Sequence, residues 1–514
     1  MTATGADLLA QVLSANGIDT CFSNPGTTEM HLVAALTRDA GITNHLCLFE
    51  GVATGAADGY ARMARKPAAT LMHLGPGLAN GLANLHNARK AATPIINIVG
   101  EHALHHIDHN APLTADIAGL AAPVSKTVAT LRSTGEIAGV TTQMLHDIQS
   151  GPTGVGTLIV PNDIAWSEVA PANQPPVEVP PPAGADEDAI KAAAKALTEP
   201  GALLLLGSPH ITRRAIALAH AIATKTGAKL RGEAATARTS RGGGTPDLVR
   251  IPFQIDAALD ALSDVRHAVL AGARAPVAFF AYPGRPSALL PADCETTTLC
   301  PPEADLEATL AALADHLGAT PSKPEAKTLP PVPQGAITPE ALGAAVANAL
   351  TEGAIVADES VTNGPHLYPS CAAAPEHDWI NNRGGSIGYS MPVAVGCAAA
   401  CPDRPVLAIV GDGSASYTPQ ALWTMARAGM NITVVILSNR RYRILANEMS
   451  KIGAGSPDEN SDPLMSLDNP PIDWPALAKG YGVPGQDVSD APALFEALKT
   501  AMSTPGPALI AAEM

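Results

Sequence analysis

The sequence predicts an α/β protein built from three tandem doubly wound domains with parallel sheets. Three observations predict it. Apolar runs of four to six residues recur along the chain without alternating with polar ones, as strands buried on both faces do. Ala-rich stretches of helical length separate these runs, and strands alternating with helices imply βαβ units. Two proline-rich stretches, 171–186 and 319–340, cut the chain into thirds. Proline removes backbone donors and stiffens the chain, so such stretches suit surface linkers.

The expected domains are therefore an N-terminal unit over 1–168, a central unit over 186–318 and a C-terminal unit over 337–514. A chain of 514 residues has room for three domains of ~150 residues each. The predicted strands are Ala69–Leu74, Pro94–Val99 and Thr157–Val160, then Ala202–Leu206 and His267–Ala271, then Ala354–Ala357, Val406–Val410, Ile432–Leu437 and Ala508–Ala511.

Composition narrows the function. Apolar residues make up 46% and charged ones 16%, enough for a large core and too ordered a mixture for a disordered chain. Aromatics are only 3%, so the core is aliphatic. A formal charge of −16 argues against a nucleic-acid surface, which needs clustered Lys and Arg. The seven cysteines form no CxxC pair and are odd in number, which fits buried thiols in a reducing cytoplasm better than a disulfide or metal framework. No basic stretch followed by an apolar run opens the chain, and no apolar run approaches the ~20 residues of a membrane helix. The expectation is a soluble cytoplasmic protein.

The sharpest motif lies in 406–445. The apolar run Val406–Val410 ends in Gly411-Asp412-Gly413-Ser414, a helix is predicted over Pro419–Ala428, and Ile432–Leu437 ends in Ser438-Asn439. Asp412 and Asn439, 27 residues apart, thus fall at the carboxyl ends of parallel strands, where open α/β sheets bind ligands. A hard cation such as Mg²⁺ takes oxygen ligands, typically one or two side chains plus phosphate oxygens. A carboxylate and an amide carbonyl supply the first part; Gly411 and Gly413 let the backbone approach the phosphates.

This GDGS…SNRRY pattern resembles the diphosphate signature of thiamine-diphosphate enzymes, and the resemblance runs over nearly the whole chain, nearest to acetolactate synthase-like proteins and benzoylformate decarboxylase. It implies the thiamine-diphosphate fold, with pyrimidine, central and diphosphate domains. Asp412, Asn439 and the carbonyl of Arg441 would bind the metal; Ser414, Thr362 and Tyr442 would contact the cofactor. The family usually ends this motif in Asn-Asn-Gly, whereas this chain has Arg440 and Arg441 after Asn439. Two further stretches match. LCLFEGVATGAADGYARM carries Glu50 where the family's glutamate bonds the pyrimidine ring, and NNRGGSIGYSMPVAVG places Gly385 and Ile387 where the cofactor is bent into a V. The glutamate's role has a physical basis: a carboxyl bonded to the ring nitrogen favours the imino tautomer of the neighbouring amine, an internal base for the weakly acidic C2 proton.

By the same resemblance the Asn24-Pro25-Gly26-Thr27 turn lies beside the cofactor, with Thr27, His73 and His106 as substrate-side candidates. His105 and His106 resemble the paired histidines of pyruvate decarboxylase, in a segment that also holds His102 and His109. Phe279 and Phe280 stand where the benzoylformate enzymes have a second histidine. Ile444 and Leu445 are expected to wall the substrate, with Glu448 nearby. GPGLANG (75–81) looks like a dinucleotide loop but lacks the acidic residue that completes one, so FAD and NAD are not supported.

The expected activity is decarboxylation of a 2-oxo acid, ending in aldehyde release or carboligation. Two other classes compete: a regulatory or binding subunit that kept the fold without turnover, and a nicotinamide dehydrogenase, which lacks its fingerprint. The family arrangement implies a homodimer or homotetramer with Glu50 of one subunit facing Asp412 of another, no nucleic acid and no membrane.

Overall fold

The computed structural model describes residues 3–38, 41–170, 176–322 and 327–514, so positions 171–175 and 323–326 of the two proline-rich stretches lie outside the described residues. The first sheet contains β1 (Thr20–Asn24), β2 (Thr43–Leu46), β3 (Ala68–Met72), β4 (Ile95–Glu101), β5 (Thr127–Thr130) and β6 (Val155–Pro161). Its strand order is β2-β1-β3-β4-β6-β5, and every pairing is parallel. β3, β4 and β6 are buried throughout, as runs with apolar residues on both faces must be.

The middle third adds β7 (Ala202–Leu206), β8 (Lys229–Gly232), β9 (Arg238–Arg241), β10 (His267–Ala271) and β11 (Glu295–Cys300). Four of them form a parallel sheet in the order β11-β10-β7-β8. The last third supplies β12 (Ala354–Glu359), β13 (His377–Asn381), β14 (Val406–Gly411), β15 (Ile432–Ser438), β16 (Gly485–Val488) and β17 (Ala508–Glu513). With β9 they make a seven-stranded sheet, β16-β17-β15-β14-β12-β13-β9. Only the β13–β9 pairing is antiparallel, so a strand of the central third closes one edge of the C-terminal sheet.

Two helices join the outer thirds. Helix Glu50–Ala64 and helix Ser390–Ala400 are almost wholly buried and pack against each other. Their contact depends on missing side chains. A methyl at Gly59 would overlap the Val393 carbonyl, and one at Gly396 would overlap the Ala56 carbonyl. One apolar cluster therefore runs from Phe22 and Val52 through Met391 and Val395 to Val410 and Ile436. Arg62, at the far end of the first helix, pairs with Asp58 at 2.6 Å and donates to the Asn381 carbonyl, the Ala237 carbonyl and the Tyr389 hydroxyl. Both charges are buried, so this pair fixes all three thirds at one point. No helix among the described residues is long and apolar enough to cross a membrane.

Candidate cofactor and active site

The C-terminal half of the site forms where β14 and β15 end side by side, with Gly411 opposite Leu437 in the register. Asp412 and Asn439 follow directly, at the carboxyl edge of the sheet. The Asp412 carboxylate accepts the Gly413 N–H at 2.8 Å and the Arg440 N–H at 2.6 Å. Asn439 Oδ1 accepts the Arg441 N–H at 3.0 Å. Burial raises the Asp412 carboxyl from its ordinary value, against backbone N–H groups that lower it, and a cation beside it would favour the ionised form.

A metal-bound diphosphate fits these residues. A methyl built on Gly411 would meet nothing within 4 Å, which leaves open space next to the carboxylate, and Asp412 and Asn439 offer the oxygen donors a hard cation takes. The Arg441 carbonyl already accepts the Arg443 N–H at 2.9 Å, leaving it one lone pair for a ligand. The ring of Tyr442 lies over Gly413, where a methyl would overlap it. Ser414 is buried in the short helix Asp412–Ala415.

The arginines beside Asn439 are accommodated in the backbone. Arg440 takes φ +54°, a left-handed conformation that suits Gly or Asn, so the turn holds some strain. Their side chains lead away to acidic partners: Arg440 pairs with Glu513 at 2.8 Å and Arg441 with Asp462.

The segment after β13 carries Gly385 and Ile387. Gly385 has φ +80°, and Asn382 Oδ1 accepts the N–H groups of Gly384 and Gly385. At its far end Glu359, closing β12, accepts the N–H groups of Gly388, Tyr389 and Ser390 at 2.8–2.9 Å. Burial pushes the Glu359 carboxyl up to about 7, against those same N–H groups. Thr362 follows in a short turn after Val361, which has φ +46°. Phe279 packs on Gly385, its Cζ 2.5 Å from where a Cβ would stand. Phe279 meets Phe253 in a tilted contact at 5.0 Å and Phe280 edge-to-face at 4.8 Å, and all three are about half exposed. Tyr282 donates to Glu448 at 2.7 Å, and Lys451 reaches Gln254, so this aromatic segment lies against helix Arg443–Lys451, which carries Ile444 and half-exposed Leu445.

The N-terminal half is built where β2 and β3 end. Glu50 starts its helix, is buried, and accepts the Asn80 amide at 3.1 Å. Gly77 keeps the space in front of it, since a methyl there would come within 3.2 Å of the carboxylate. The strand predicted over Ala69–Leu74 is shorter than expected; β3 stops at Met72, and His73 is the N-cap of helix Leu74–Lys90. GPGLANG is thus the first turns of that helix. The His73 ring lies over Gly26, bonds Glu29 at 2.7 Å and lies 3.2 Å from the Thr28 hydroxyl. Thr27 is exposed at the start of the one-turn helix Thr27–Glu29. His106 is exposed and lies between His102, edge-to-face at 5.4 Å, and His109, tilted at 5.7 Å; no hydrogen bond among the described residues connects it to Glu50 or His73.

Within one chain helix Leu74–Lys90 bridges the two halves, Asn84 donating to the Gly51 and Gly388 carbonyls. No hydrogen bond or ion pair among the described residues links Glu50 to Asp412, Asn439 or Gly385. The sequence reading missed Glu29, Glu359 and the asparagines of helix Leu74–Lys90. Asn80, Asn84 and Asn87 carried a legible signal, the helical spacing that puts them on one face. Glu29 and Glu359 had none, because their partners are distant in sequence or are backbone groups.

Comparison with known proteins shows the family and the fold. The thiamine pyrophosphate enzyme N-terminal TPP-binding domain matches residues 3–120 and the C-terminal TPP-binding domain residues 366–512. A Mycobacterium tuberculosis protein provisionally named acetolactate synthase large subunit IlvX is 43% identical over 98% of both chains. Benzoylformate decarboxylase of Pseudomonas aeruginosa is 28% identical over 97% of both. The solved structure of a Rhodococcus jostii thiamine diphosphate-dependent 4-hydroxybenzoylformate decarboxylase superposes with a TM-score of 0.84, at 23% identity, over 99% of this chain and 98% of that one, which shows a shared fold. The chain belongs to the thiamine pyrophosphate enzyme family, in the group that holds acetolactate synthases and benzoylformate decarboxylases.

Proposed function

We propose that the protein decarboxylates a 2-oxo acid and releases the product as an aldehyde or joins it to a second carbonyl. The observation that carries this reading is the pairing of two half-sites: Asp412 and Asn439 at adjacent strand ends, and the buried Glu50 carboxyl at a helix start. Thiamine diphosphate supplies the electron sink that a departing CO₂ requires. Asp412, Asn439 and the Arg441 carbonyl would hold Mg²⁺ or another divalent cation; Ser414, Thr362 and Tyr442 would line the diphosphate. Glu50 would share a proton with the pyrimidine nitrogen, and His73, held by Glu29, would offer a proton near the substrate.

The family arrangement supports an assembly of at least two chains, Glu50 of one facing Asp412 of another. The free cysteines, most of them buried, fit a reducing cytoplasm.

A second observation bears on the substrate. Of the six phenylalanines, three form the half-exposed cluster on Gly385, beside the expected cofactor bend. Exposed aromatic area of this kind needs an apolar occupant, which favours 2-oxo acids with ring-sized side chains over pyruvate. The test is CO₂ release from a panel including benzoylformate and pyruvate, with thiamine diphosphate and Mg²⁺, with and without an aldehyde acceptor. Turnover of benzoylformate above pyruvate supports both readings; turnover of pyruvate alone rejects the aromatic preference; no turnover of any 2-oxo acid rejects the activity.

A further inference from the structure

Helix Leu74–Lys90 carries three asparagines at positions 80, 84 and 87, a spacing that places them on one face. Each bonds a segment expected to touch the cofactor. Asn80 donates to the Glu50 carboxylate at 3.1 Å and is its only hydrogen-bond donor among the described residues. Asn84, buried, donates to the Gly51 carbonyl at 2.8 Å and the Gly388 carbonyl at 3.2 Å. Asn87, with no exposure, treats Ser386 as one strand treats the next: its Nδ2 donates to the Ser386 carbonyl at 2.9 Å while its Oδ1 accepts the Ser386 N–H at 3.1 Å. The same Nδ2 donates to Asn84 Oδ1 at 2.9 Å, so the two amides are locked in one orientation.

A lone buried amide would be costly, and here every polar atom of Asn87 is used on the segment that holds Gly385 and Ile387. That segment takes φ +80° at Gly385 and +84° at Gly388, a backbone that glycine leaves free to vary, so its shape is set by the bonds its neighbours make. The face that fixes it comes from the N-terminal third, and its first residue steadies the carboxylate expected to act on the pyrimidine.

We propose that Asn80, Asn84 and Asn87 are positioning residues: one helix face presets both the Glu50 carboxyl and the Gly385–Ile387 bend before the cofactor binds. The inference rests on the thiamine-diphosphate reading above. It assigns separable roles along the face. Asn80 aims Glu50 and so governs proton loss from the cofactor's C2, whereas Asn87 shapes the seat and so governs affinity.

Two variants and two readouts test it on the full-length protein with Mg²⁺. Calorimetry gives the thiamine diphosphate dissociation constant, and quenched NMR gives the C2 hydrogen–deuterium exchange rate of the bound cofactor, which needs no substrate. Asn80→Ala, at an exposed position, is expected to slow exchange about tenfold and to leave the dissociation constant within about twofold. Asn87→Asp keeps the size but removes both donated bonds, and is expected to raise the dissociation constant about tenfold. Wild-type exchange in Asn80→Ala, or wild-type affinity in a folded Asn87→Asp, overturns the proposal. Should Asn87→Asp fail to fold, Asn80→Ala decides alone. Failure of the wild type to bind the cofactor overturns the functional reading itself and is distinguishable from both.

Discussion

His73 Nδ1 lies 2.7 Å from Oε2 of Glu29, a carboxylate with no solvent exposure that also accepts the Gly26 N–H at 2.7 Å and the Thr28 hydroxyl at 2.5 Å. A carboxylate so placed sets the ring's orientation and tautomer. Glu29→Gln is expected to lower kcat/KM about tenfold, ~1.4 kcal/mol, in initial-rate measurements. An unchanged value would mean that His73 takes no part in turnover.

The Arg62–Asp58 pair is expected to matter for stability rather than chemistry. Arg62→Leu leaves the Asp58 carboxylate buried with Thr93 as its remaining side-chain donor, at a cost of ~3–5 kcal/mol. A large fall in the first thermal transition, partly recovered by adding Asp58→Asn, is the expected result. A fall worth less than ~1 kcal/mol would show that the pair adds little to the junction.

Glu359 predicts a pH dependence. Its folded carboxyl is raised from 4.5 to about 7, chiefly by burial, so between those values the folded state holds a proton that the unfolded state has lost. Stability linked to this group is therefore present below pH 4.5 and is lost as pH rises to about 7, by ~3 kcal/mol at most. Glu359→Gln should flatten that part of the stability profile. An identical slope in variant and wild type would assign it to other groups.

Arg440 stores a small backbone strain at φ +54°. Its functional contribution is the main-chain N–H to Asp412, which any non-proline residue supplies. Arg440→Asn, better suited to a left-handed conformation, should raise stability by ~0.5–1 kcal/mol in thermal melts and leave cofactor affinity unchanged. A lower melting temperature would show that the exposed Arg440–Glu513 pair outweighs the strain.

Much of the fold is legible because buried parallel strands write themselves as unbroken apolar runs. Ala202–Leu206 and His267–Ala271 coincide with β7 and β10, and the other seven expected runs fall within about three residues of a strand. Strands at sheet edges or of mixed composition carry no such signal. Glu295–Cys300 reads ETTTLC, and Arg238–Arg241 is a strand only because β13 needs a partner at its edge. The site divides in the same way. The placement of Asp412 and Asn439 is legible because strand ends are local features. The Glu29–His73 bond spans 44 residues and the Asn87–Ser386 pair 299, and only the folded chain brings such residues together.

The central claim is that Asp412 and Asn439 hold the cofactor's diphosphate through a metal. Calorimetric titration of thiamine diphosphate into wild type and Asp412→Ala, each with Mg²⁺ and with a chelator, tests it most directly. The account predicts saturable binding of one cofactor per chain that needs Mg²⁺ in the wild type and is weakened at least about a hundredfold in the variant. Wild-type binding that ignores the chelator, or undiminished binding by Asp412→Ala, would contradict it.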